Sequence, residues 1–221
     1  MKNDIELGRS WKCLLNRDRD HLRWCTIIIG AIRIRESELG DSYRVGEIEI
    51  HVSNMIDEFR RSWLGITRGR QLCGLLVRGA FELDLRRSFT PDGHHHATLV
   101  GMGCDAAPLD PDERILIVHV HFVAAFPDEV DGEEAADWLR HVVQHVWTAH
   151  WQTQVKGLYA NPPVEESIER LYSYTHKRRL EYSSGGMGDV PTKFGEKYEW
   201  IWSKFVLKVY SSFNNEFRSK R

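Results

Sequence analysis

This chain has few cysteines, no long apolar run and no excess of basic charge. The cysteines, Cys13, Cys25, Cys73 and Cys104, are scattered without a Cys-x-x-Cys pair, which argues against a zinc knuckle or a disulfide framework. The longest apolar stretch, residues 26–32, is far shorter than a membrane span, and the N-terminus lacks the features of a secretion signal. We therefore expect a cytoplasmic protein in a reducing compartment, with no membrane partner.

The net charge of −2 excludes a uniformly basic surface. Any contact with nucleic acid must therefore come from local patches of lysine and arginine. Such runs occur at residues 86–87, 177–179 and 218–221. A solvated surface explains each run equally well when it is taken alone.

The composition is that of an ordinary folded protein, with 221 residues, 42% hydrophobic and 28% charged. We expect an N-terminal segment at residues 1–21 and a main domain at residues 22–182. Residues 183–188 have the composition of a flexible linker, so residues 183–221 are expected to form that linker and a C-terminal helix.

Residue periodicity predicts alternating strands and helices. Strands are expected at residues 22–34, 71–85, 97–102, 114–126 and 155–160, and helices at residues 48–63, 135–147, 163–181 and 196–217. The strand at residues 114–126 is too apolar to have an exposed face, so it should lie in the middle of a sheet. This order favours an α+β fold, with a central antiparallel sheet and helices packed mainly on one side.

The sequence His119-Val120-His121 lies in that central strand. Side chains alternate along a strand, so the two imidazoles should share one face. Histidine is the commonest metal ligand, and such a pair is positioned to hold one cation. The alternative is that both are ordinary polar residues.

Two carboxylates, Glu82 and Asp84, share one face of the preceding strand, opposite Phe81 and Leu83. A carboxylate beside two histidines would make a mixed nitrogen and oxygen site suited to magnesium or manganese engaging a phosphate. A surface-facing acidic pair is the alternative.

A later predicted helix carries Tyr174 and Lys177, which are three residues apart and share one helical face. Tyr172 should point to nearly the opposite side, since successive helical residues turn by about 100°. A tyrosine hydroxyl is a weak nucleophile unless neighbouring cationic groups assist it. A packed helical tyrosine is the alternative for an isolated motif of this kind.

These motifs occur in an order that resembles the HUH endonucleases, most closely the single-tyrosine rolling-circle replication initiators of small plasmids. The series is Trp24 to Ile29, then Phe81 to Asp84, then His119 to His121, then Tyr174 to Lys177. The resemblance covers roughly residues 22–182 and implies an HUH nicking domain with a palm like that of RNA-recognition motifs.

The resemblance also implies residue roles and partners. His119, His121 and Glu82 would hold a divalent metal, Mg²⁺ or Mn²⁺. Tyr174 would attack the phosphate and form a 5′-phosphotyrosine bond, and Lys177 would assist near that phosphate. The partner would be single-stranded DNA or an origin hairpin, with host replication proteins as further candidates.

Other interpretations remain open at this point. A relaxase or a single-tyrosine transposase uses the same chemistry, although the short chain favours an initiator. A histidine-triad hydrolase would need a third histidine where the chain has Val123. A non-catalytic DNA-binding module and a plain interaction protein are the non-enzyme alternatives. The runs His94-His95-His96 and His141…His145 could offer competing ligands, although solvated positions are expected for both.

Overall fold

The computed structural model describes residues 7–68, 72–86, 94–104, 109–176 and 199–218. Its strands are Leu22–Arg35 (β1), Leu76–Arg86 (β2), Glu113–Ala125 (β3), Thr153–Gly157 (β4) and Glu216–Arg218 (β5). They form one antiparallel sheet in the order β4-β1-β3-β2-β5. The expected central position of the histidine-bearing strand, β3, is confirmed.

The described α-helices are Ser42–Thr67 (α1), His94–Gly101 (α2), Gly132–Val146 (α3), Val164–His176 (α4) and Glu199–Ser211 (α5). Asp41 and Asp131 cap α1 and α3, because each side chain accepts hydrogen bonds from two backbone N–H groups of the first turn. None of these helices is both long and apolar enough to cross a membrane.

One face of the sheet, here called the core face, carries the larger hydrophobic core. Helices α1, α3 and α5 pack on it, and α1 contributes a stripe of buried residues at spacings of three and four. Aromatic rings fill the centre, with Trp63 against Phe122 and Phe59 against Phe81. Three of the five described α-helices therefore cover one side, and the predicted α+β class is confirmed.

The opposite face, here called the second face, has two apolar clusters with a gap between them. At one end, Ile168 of α4 packs with Leu22, Leu76 and Val123. On the other side of the gap, Leu99 of α2 packs with Ile28 of β1 and with Ile115 and Ile117 of β3. The middle of the second face is left for polar side chains, and the functional candidates lie there.

Gly79 lies opposite Phe122 and allows β2 and β3 to approach closely on the core face, behind this gap. A Cβ atom placed on Gly79 would lie 2.1 Å from the carbonyl oxygen of His121 and 2.4 Å from Cβ of Phe122. Both obstacles are close to the backbone and cannot rotate away. Glycine is therefore required sterically at this position, next to one of the candidate metal ligands.

Two predicted elements were wrong. Residues 97–102 were expected to form a strand, but they lie within and just after helix α2, where Thr98 and Leu99 are buried. Short apolar runs do not distinguish strand from helix by themselves. The last helix was expected to continue to residue 217, but it ends at Ser211, and residues 216–218 instead pair with β2.

The predicted linker and Tyr182 lie outside the described residues, so the expected domain boundary stays a prediction. The last helix does contact the rest of the molecule, because Trp202, Phe205 and Val209 are buried in the core-face cluster. We conclude that α5 belongs to the same hydrophobic core as α1 and α3.

Candidate functional site

Strand pairing places the predicted metal ligands in the gap of the second face. His119 lies opposite Glu82 of β2, and His121 lies opposite Ala80. The small side chain of Ala80 leaves room for Glu82 to reach diagonally towards His121, as diagonal neighbours in antiparallel pairs can do. The side chains of His121 and Glu82 are only 7% and 14% exposed. The site is thus formed by two neighbouring strands in the middle of the sheet.

Glu82, His119 and His121 can hold a metal ion. One ligand atom from each residue lies within 4.8 Å of the others. Two imidazole nitrogens and one carboxylate oxygen are donors that divalent transition metals accept, and they leave further coordination positions for water or substrate. The predicted grouping of these three residues is confirmed by their positions, while the identity of the ion is a separate question.

The contact between Glu82 and His121 needs a positive charge, from a cation or a proton, at this point. Oε2 of Glu82 and Nε2 of His121 are 3.0 Å apart, and both atoms are buried. Neither atom has a hydrogen-bond partner of good geometry among the described residues. Two lone pairs directed at one buried point are unfavourable unless a cation or a proton lies between them.

The neighbouring histidines keep Glu82 ionised. Burial by itself raises the pKa of Glu82, but the close contact with His121 and the charges of His119 and His121 lower it below its ordinary value of 4.5. Asp84 acts in the opposite direction and raises it slightly. A carboxylate with a lowered pKa is available as a negatively charged ligand at neutral pH.

The structure separates the two carboxylates of β2. Asp84 forms an ion pair with Arg86, with Oδ2 of Asp84 and a guanidinium nitrogen 2.6 Å apart. It lies opposite Ile117, one step further along the second face than Glu82. Of the two carboxylates, Glu82 is the one that lies beside His119 and His121.

Tyr174 lies at the same site. Its ring is in edge-to-face contact with the ring of His121, with centroids 5.3 Å apart and planes at 81°. It also contacts the indole of Trp24, at 6.0 Å and 81°. Helix α4 therefore brings Tyr174 next to the candidate metal ligands from above the second face.

Tyr172 occupies a different environment. Its ring packs against Trp11 at a centroid distance of 5.4 Å, at the edge of the apolar cluster around Ile168. This position agrees with the expected separation of the two tyrosines around the helix. Lys177 lies outside the described residues, so its expected role stays a prediction.

The remaining histidines do not form a second cluster in the part of the chain that the structure describes. His141 and His145 lie on the exposed side of α3. The run that starts at His94 was expected in a loop, but it begins helix α2 instead. Within the described ranges, no other three side chains of suitable type are close enough to share an ion.

Two residues at the site were not given roles by the sequence pattern. Oγ1 of Thr26 lies 2.9 Å from Nδ1 of His121. The indole of Trp24 is parallel to the same imidazole within 1°, at a centroid distance of 5.5 Å. Strand alternation puts Trp24 and Thr26 on one face, but only the pairing of Thr26 with His121 shows that this face carries the candidate metal ligands.

Comparisons of the chain with protein-family models, with curated proteins and with solved structures found no match.

Proposed function

We propose that this protein nicks and rejoins single-stranded DNA through a covalent tyrosine intermediate, as a replication initiator of the HUH type. One observation carries the proposal. A tyrosine on α4 contacts the imidazole of His121, which belongs to a three-residue metal site in the middle of an antiparallel sheet. A nucleophile beside a divalent metal suits phosphoryl transfer by tyrosine, because the ion can offset the negative charge on the phosphate.

The chemistry is a transesterification. The hydroxyl oxygen of Tyr174 attacks the phosphorus of one phosphodiester, and the bond from phosphorus to O3′ breaks. The products are a 5′-phosphotyrosine and a free 3′-OH. The proton lost by the Tyr174 hydroxyl passes through water to the departing O3′ oxygen. Attack by a 3′-OH on the phosphotyrosine reverses the step and rejoins the strand, so no external energy source is needed.

His119, His121 and Glu82 would hold Mg²⁺ or Mn²⁺ in this proposal. The bound ion would polarise the scissile phosphate and offset its developing negative charge. Two imidazole nitrogens favour Mn²⁺ over Mg²⁺, because Mg²⁺ prefers oxygen ligands. We therefore expect Mn²⁺ to support the stronger activity.

The second face also offers a contact for the DNA backbone. Lys156 of β4 is exposed and lies opposite Trp24 in the pairing of β1 with β4. Its side chain therefore projects on the same face as the metal ligands. A lysine there can contact a phosphate next to the scissile one, as salt-dependent DNA binding requires.

Relaxases and single-tyrosine transposases share this chemistry, and preference for an origin hairpin distinguishes an initiator.

The test is a search for a covalent adduct. Fluorescent single-stranded oligonucleotides with a randomised hairpin are incubated with the protein and Mn²⁺, and denaturing gels show whether DNA stays attached. We expect an adduct with Mn²⁺ and none with a chelator. The His119→Ala, His121→Ala double variant should form none.

A matched control is the His141→Ala, His145→Ala variant, which removes two exposed histidines of α3 and should behave as the wild type. Absence of any adduct from the wild-type protein would contradict the proposal. Equal adduct formation by the double variant of β3 would show that these histidines do not serve the reaction.

A further inference from the structure

Strand β1 contacts His121 through Thr26. Thr26 lies directly opposite His121 in the pairing of β1 with β3, and its hydroxyl oxygen is 2.9 Å from Nδ1 of the imidazole. Thr26 is also paired on its other side, with Gln154 of β4. It is therefore held between two strands, and a β-branched side chain there has little rotational freedom.

This contact determines which nitrogen of His121 can bind a metal. A neutral imidazole has one N–H group and one lone pair, and the hydrogen bond made by one nitrogen decides the state of the other. If Nδ1 carries the hydrogen and donates to Thr26, the lone pair is on Nε2. That is the nitrogen 3.0 Å from Oε2 of Glu82.

The opposite tautomer cannot share a cation with Glu82. With hydrogen on Nε2, His121 has no lone pair to offer an ion beside Oε2 of Glu82, which lies 3.0 Å away. The parallel indole of Trp24 lies against the ring and restricts its rotation. Both residues of β1 therefore favour one orientation of the imidazole.

We propose that Thr26 is a positioning residue for the metal site, which accepts a hydrogen bond from Nδ1 of His121 and so presents Nε2 as the ligand atom. This inference rests on the metal site of the proposed function, but not on its DNA chemistry. Partners of this kind orient metal-bound histidines, and their loss weakens metal affinity roughly 10- to 100-fold.

The experiment compares Thr26→Val, which keeps the shape and removes the hydroxyl, with Thr26→Ser, which keeps the hydroxyl. The first readout is nitrogen NMR of His121 in the protein loaded with Mg²⁺, which is diamagnetic, at a pH where its ring is neutral. We expect hydrogen on Nδ1 in the wild type and in Thr26→Ser, and a shift towards hydrogen on Nε2 in Thr26→Val.

The second readout is Mn²⁺ affinity by calorimetry. Thr26→Val should bind roughly 10- to 100-fold more weakly, and Thr26→Ser should recover most of the loss. Circular dichroism checks that each variant is folded. A Thr26→Val protein with unchanged affinity and unchanged nitrogen signals would overturn the inference, and so would a wild-type protein without Mn²⁺ affinity.

The two proposals can fail separately. If Mn²⁺ affinity depends on the Thr26 hydroxyl but no DNA adduct forms, the role of Thr26 stands and the nicking function is wrong. If an adduct forms and Thr26→Val equals the wild type in both readouts, the nicking function stands and the role of Thr26 is wrong.

Discussion

The ring of Tyr174 lies edge-on to the ring of His121, with their centroids 5.3 Å apart. The two residues come from a helix and from the central strand, so their contact depends on how α4 sits on the sheet. Ile168 of α4 is completely inaccessible to solvent. Its packing in the apolar cluster at one end of the second face holds the helix there. The phenol is thereby placed beside a candidate metal ligand.

Replacement of Tyr174 by phenylalanine should abolish the covalent DNA adduct while leaving the fold intact. The substitution keeps the ring and its contact with His121 and removes only the oxygen that we propose attacks the phosphate. Mn²⁺ affinity should stay close to that of the wild type in calorimetry. Tyr172→Phe is the matched control, because Tyr172 packs against Trp11 instead, and it should still form the adduct. Peptide mapping that finds the nucleotide on Tyr172 or Tyr182 would contradict this assignment.

Glu82→Gln should weaken Mn²⁺ binding about tenfold or more, which corresponds to about 1.4 kcal/mol. The substitution keeps the size of the side chain and removes the negative charge that faces the two histidines. Asp84→Asn is a closely matched control on the same face of the same strand, but its partner is Arg86. Calorimetry should therefore show near-normal affinity for Asp84→Asn. Equal losses in both variants would indicate a general electrostatic effect instead of coordination by Glu82.

Gly79→Ala should destabilise the protein by about 1–3 kcal/mol, the usual cost of an added methyl group in a tightly packed core. The new Cβ atom would lie 2.1 Å from the carbonyl oxygen of His121, so β2 and β3 would have to separate. Urea unfolding measures the change. Gly157→Ala is the control, because a Cβ atom there meets nothing within 4 Å. Similar stabilities of the two variants would show that the strands adjust without cost.

Glu113 should make the folded state sensitive to acid. Hydrogen bonds from the Arg33 side chain, from the backbone N–H of Asp110 and from the Arg35 side chain lower the pKa of Glu113 from 4.5 to about 2. A group whose pKa is lowered by folding contributes stability that is fully present above the unfolded value of 4.5 and is lost as the pH falls towards about 2.

The measurement is urea unfolding of the wild type and of Glu113→Gln at several pH values. The wild type should be the more stable protein at neutral pH, and the difference should shrink between pH 4.5 and about 2. Asp128→Asn is the control, because Asp128 forms its ion pair with Arg17 at the protein surface. A difference between the wild type and Glu113→Gln that is independent of pH would contradict the role of the ion pairs.

Much of the candidate site follows from local periodicity. Alternation along one strand is enough to place His119 and His121 together, because side chains on a strand point alternately to its two faces. The helical turn of about 100° per residue likewise separates Tyr174 from Tyr172. These predictions concern neighbours in sequence, whose relative positions the backbone conformation determines directly.

Other features depend on contacts between distant segments. Thr26 and His121 are 95 positions apart, and their hydrogen bond exists only because β1 pairs with β3 in one register. Pairing of β2 with β3 likewise selects Glu82 over Asp84 as the neighbour of the histidines. The sequence alone determined the strand and helix faces on which the chemical groups lie. The tertiary structure decided which faces meet, because a shift of one residue in register would move every side chain of a strand to the other side of the sheet.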